Sequence, residues 1–116
     1  MKIAITSCAT LSALGDLPSE IWQAYSKAQH GFVQQELQGK KEWIAPLAGH
    51  LTQELEELRS SDIKYKPLDS TVIMAISVAR KAVQRAGWES TDSVGINFGS
   101  SRGATDLFEK DHLEFV

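Results

Sequence analysis

The chain has 116 residues, with 12 Lys and Arg against 15 Asp and Glu, for a formal net charge of −3. That length fits one small domain able to bury roughly two-thirds of its unfolded surface. With 23% charged and 42% hydrophobic residues, the chain falls outside the disordered and fibrous classes. No apolar run approaches the ~20 residues of a membrane span, the start turns polar too early for a signal peptide, and the mild acidity argues against broad nucleic-acid binding. The single cysteine, Cys8, excludes an internal disulfide and fits a reducing cytoplasm.

In chain order, Ile3-Ala4-Ile5 opens a buried strand running to about Cys8. Asp16 as cap and Pro18 in the first turn start a helix. Its apolar positions are Ile21, Trp22, Tyr25 and Ala28, its span about 18–29, and Gly31 closes the pattern. Residues 32–50 lack strong periodicity, and Trp43, Ile44, Pro46 and Gly49 suggest an irregular crossing with one short extended piece. Leu51, Leu55 and Leu58 mark a short amphipathic helix that Ser60-Ser61-Asp62 breaks. Asp69 then caps an Ala-rich helix from Ser70 to Ala86, whose stripe is Val72, Ile76, Ala79, Val83 and Ala86 and whose end is Gly87. Residues 94–99 read as a second strand, 100–103 as a turn, and 104–115 as a last helix. This rhythm is that of an α/β layer fold.

Gly99-Ser100-Ser101-Arg102-Gly103 admits three readings. It fits the G-x-S-x-G nucleophile elbow of a serine hydrolase, with Ser101 as nucleophile. That mechanism needs a histidine from another loop, and only His112, on the very next helix, follows. A phosphate-binding loop is the second reading, but the spacing is not G-x-G-x-x-G and no Lys-Ser/Thr follows. The third is a sharp turn of small residues leaving a buried strand. Cys8 reads as a structural, buried thiol with no local His or Lys to activate it. His30, His50 and His112 lack metal-ligand spacing, so neither metal nor cofactor is called for. Lys64-Tyr65-Lys66 is a small basic island, either solvated or facing an acidic partner. Trp22, Trp43 and Trp88 read as core fillers.

Taken in order, these pieces resemble the N-terminal portion of the β-ketoacyl synthases, the thiolase-like condensing enzymes. Residues 5–15 stand where that family has I-T-G-x-G-x-x-S-x-x-G, and Ile21-Trp22 where it has Phe-Trp. Residues 28–32 match A-G-x-S-G-I, and Ala48-Gly49 an A-G pair. Asp69 through Gly87 match its Asp-opened, Ala-rich helix, and residues 94–103 match V-G-V-x-x-G-S-x-x-G. The resemblance spans essentially the whole chain. Ser7 replaces the usual first glycine and Ser70-Thr71 the common Arg-Phe, which suggests a divergent branch.

The resemblance implies a partial thiolase-like α/β fold, with residues 1–116 forming one incomplete N-terminal segment. The activity implied for the whole enzyme is decarboxylative Claisen condensation of acyl and malonyl thioesters on a nucleophilic cysteine. The family's T-A-C-x-S turn and catalytic histidines have no counterpart here, so no catalytic residue is assigned and the chain alone is expected to be inactive. Arg102 matches a position beside the acyl pocket, where an unpaired guanidinium disfavours a long alkyl chain. Lys64 and Lys66 match the stretch that docks the acidic acyl carrier protein. Exposure of surface built for further residues implies a homo-oligomer or a partner synthase subunit. The alternatives are a non-catalytic module binding a carrier protein or synthase subunit, and the Ser101 hydrolase.

Overall fold

A computed structural model describes residues 2–89 and 93–115. Among them the chain is mixed α/β, with four helices and a two-stranded antiparallel sheet. These are α1 (Pro18–Ser26), β1 (Val33–Leu37), β2 (Lys40–Ile44), α2 (Gly49–Ser60), α3 (Ser70–Ala86) and α4 (Thr105–Phe115). They fall into two compact units, one of residues 9–54 and one of 2–8 with 55–115.

In the first unit, Pro18 takes the opening helical position of α1, which makes Leu17, in extended backbone, the N-cap. Asp16 lies one residue too early for the capping role expected of it. The helix also stops short of Gln29. Ala28 turns left-handed at φ 51, its N–H donates to Tyr25 O at 3.1 Å, and the Gln29 N–H donates to Ala24 O at 2.8 Å. This is a Schellman closure made without glycine.

The expected irregular crossing contains a hairpin. Val33 pairs with Ile44 and Leu37 with Lys40, so Gln38 and Gly39 alone form the turn. Their φ values of 51 and 77 match the doubly left-handed turn whose twist suits paired strands. The signal was faint because Gln replaces the usual Asn, and because Gln, Glu and Lys are poor strand formers.

In the second unit, α3 follows the sequence closely. Asp69 caps it by accepting from the Thr71 N–H at 2.8 Å, and Gly87 leaves it at φ 66, a value that suits a residue without Cβ. The deepest positions are Ile73 and Ser77, while Val72, Ile76 and Val83 are half-buried and Ala79 is exposed. The buried face is thus rotated by one residue from the expected stripe.

Both expected strands are absent. Residues 3–8 and 94–99 have no regular structure, and Ile3 and Ile5 are 85% and 91% exposed. A strand must hand its N–H and C=O groups to another strand, and among the described residues neither segment is paired with one. Cys8 is consequently exposed, not buried. The Ser7 hydroxyl, by contrast, is buried without a hydrogen-bond partner among the described residues. All three tryptophans are exposed as well, so none fills the core. Among the described residues the buried apolar side chains are Ala24 and Leu51 in the first unit and Leu55 and Ile73 in the second. No described helix is long and apolar enough to cross a membrane.

Candidate functional site

The second unit holds two arrangements with chemical potential, and the first begins at Asp69. This carboxylate is 4% exposed and serves two helices. Its Oδ1 accepts from the Thr71 N–H and from the Thr71 hydroxyl at 2.6 Å, and its Oδ2 accepts from the Asp106 N–H at 3.2 Å. The first turns of α3 and α4 are therefore clasped by one side chain, which satisfies amides that each helix leaves open. The Thr71 hydroxyl above all, then the Thr71 amide, hold the Asp69 carboxyl below its ordinary 3.8, with the Asp106 and Leu107 amides adding to the effect against partial desolvation.

Beside the clasp lies a cleft of about 450 Å³. Its walls are Thr71, Val72 and Ile76 from α3, with Phe98, Ser100 and Ala104 from the segment before α4. The Ser100 hydroxyl accepts the Gly103 N–H at 2.9 Å, which shapes the expected turn. The lining carries hydroxyls but no acid, base or thiol, so the cleft is chemically suited to holding an apolar group and not to proton transfer. Ser101 and Arg102 are exposed and outside this lining. The strand half of the nucleophile elbow does not form, so Ser101 is not held on a strand-to-helix turn.

The second arrangement is the loop 61–68, which carries Lys64 and Lys66. Asp62 starts it by accepting the Lys64 N–H on its carboxylate at 2.9 Å, with the Tyr65 N–H on its carbonyl. Arg59 of α2 reaches across to donate to the Leu68 carbonyl and to the Ser70 hydroxyl. Arg80 of α3 donates to the Tyr65 hydroxyl at 3.0 Å and places its guanidinium 5.6 Å from the ring centre. Two arginines on separate helices thus pin the loop, with Lys64 and Lys66 exposed on either side of the half-buried Tyr65. Sequence reasoning found the lysines but missed Arg59 and Arg80, since no spacing rule links Arg80 to a tyrosine 15 positions earlier.

No protein-family model matches the chain, and no curated protein or solved structure matches it. Among the described residues no cluster of His, Cys, Asp or Glu has the makings of a metal site.

Proposed function

We propose that the chain is an N-terminal, thiolase-like segment of a β-ketoacyl synthase, acting in the cytoplasm and meeting an acidic acyl carrier protein through Lys64 and Lys66. In the whole enzyme an acyl group is held as a thioester on a cysteine supplied by another segment. The carbanion released when a malonyl thioester loses carbon dioxide attacks the acyl carbonyl, and the thiolate leaves. This segment contributes scaffold and docking surface. The observation that carries the reading is the pinned basic loop. Exposed Lys64 and Lys66 flank Tyr65, which Arg80 bonds, and a basic loop with its backbone held in this way attracts an acidic partner at reduced ordering cost. Arg102, exposed beside the turn, is available to a short or polar acyl group or to an acidic partner.

The test is a fluorescence-anisotropy titration of holo acyl carrier protein against the chain at several salt concentrations. The Lys64→Glu, Lys66→Glu double variant is expected to bind at least ~10-fold more weakly, and wild-type affinity to fall as salt rises. Equal affinity for both proteins overturns the docking role. The synthase reading is tested separately in the gene: the frame that encodes this chain is expected to encode a T-A-C-x-S turn downstream, and a stop codon without it overturns that reading.

A further inference from the structure

The β1–β2 hairpin has two edges, and their sequences differ in what they permit. No helix or other strand among the described residues packs against it, and nine of its ten strand residues are exposed. Leu37 and Lys40 flank the two-residue turn, which makes them a hydrogen-bonded pair. By alternation Gln35–Glu42 and Val33–Ile44 are hydrogen-bonded pairs too. The N–H and C=O groups of Gln34 and Glu36 therefore face away from β2, while on the opposite edge the outward groups belong to Lys41 and Trp43.

We propose that the β1 edge pairs with the β1 edge of a second copy of this chain, giving a four-stranded antiparallel sheet in the order β2, β1, β1, β2. Two-fold symmetry requires the central residue of such a ladder to face itself. Centred on Gln35, all five residues of β1 are used. Gln34 lies opposite Glu36 of the second copy, and each supplies the outward N–H and C=O the other needs. Val33, 46% exposed, lies opposite Leu37, 43% exposed, once at each end. No like charges stand directly opposite one another, and the apolar pairs are of the kind that stabilises a sheet.

The β2 edge resists the same operation. Centring on Glu42 sets two carboxylates face to face, and centring on Lys41 sets two ammonium groups face to face. Centring on Trp43 sets Lys40 and Lys41 opposite residues 46 and 45, beyond the strand. The β1 edge thus meets itself with no like charges directly opposed, whereas the β2 edge does not, which favours a closed dimer through β1. The proposal is independent of the synthase reading.

Glu36→Pro deletes only an outward N–H and leaves the β1–β2 ladder intact. In sedimentation equilibrium the wild-type chain is expected to dimerise reversibly, and Glu36→Pro to raise the dimer dissociation constant at least ~10-fold. In a Cys8→Ser background, Gln35→Cys is expected to form a disulfide-linked dimer under mild oxidation, since directly opposed residues stand within disulfide reach. Glu42→Cys in the same background is expected to stay uncrosslinked. A wild-type chain that remains monomeric at about 1 mM, a dimer indifferent to Glu36→Pro, or crosslinking through Glu42→Cys in place of Gln35→Cys each overturns the proposal.

Discussion

Ile73 and Ile5 are the same residue in opposite circumstances. Ile73 sits on α3 and is 1% exposed, whereas Ile5 lies in a stretch rich in strand formers and is 91% exposed. The difference comes from where the backbone finds its partners. A helix closes its hydrogen bonds within itself, so once capped it has only to bury one face. A strand is half a structure until another strand lies beside it. Apolar, β-branched composition at residues 3–5 and 94–98 supplies the propensity for strands but not the neighbour.

Truncating both isoleucines gives the largest expected difference. Ile73→Ala is expected to lower unfolding free energy by about 2–5 kcal/mol in urea titrations. Ile5→Ala is expected to change it by less than about 0.5 kcal/mol. A cost of several kcal/mol at Ile5 would mean that residues 3–8 are paired and packed in solution.

A smaller effect is expected at the cap of α3. The Asp69 carboxyl is held below its ordinary value, so near that pH the native state binds fewer protons than the unfolded chain. Its contribution is complete above the ordinary value of 3.8 and is lost as pH falls through the lower, folded value. Asp69→Ala is expected to reduce stability at pH 7 by less than Ile73→Ala does, and to flatten the acid limb of a midpoint-against-pH plot. An acid limb unchanged by the substitution would remove Asp69 from that role.

The smallest effect is expected in the hairpin. Gln38 adopts φ 51, which Asn tolerates better than Gln. Gln38→Asn should therefore stabilise the first unit by on the order of 0.5 kcal/mol, read as a rise in thermal midpoint. No gain would indicate a turn of another type.

All four helices were legible because their signals are local. Pro18 opens α1, Asp69 and Gly87 bracket α3, and the three-residue and four-residue spacing of Leu51, Leu55 and Leu58 places α2. What stayed illegible depends on partners distant in sequence. Trp22 and Trp43 read as core fillers, yet both are exposed in the structure. The basic island at Lys64 and Lys66 was visible, while its anchors Arg59 and Arg80 became apparent only once α2 and α3 were placed in space.

The double duty of Asp69 also bears on the order of events during folding. Its bond to Thr71 joins near neighbours and forms with the first turn of α3, on the sub-microsecond scale of helix growth. Its bond to Asp106 spans 37 residues and waits for that length of chain to close on itself. The carboxylate is thus in place on α3 before the other helix arrives, a docking point made early and filled late. In pulse-labelling hydrogen exchange the Thr71 amide should gain protection before the Asp106 amide, and substitutions in residues 88–104 should delay the second event while leaving the first unchanged.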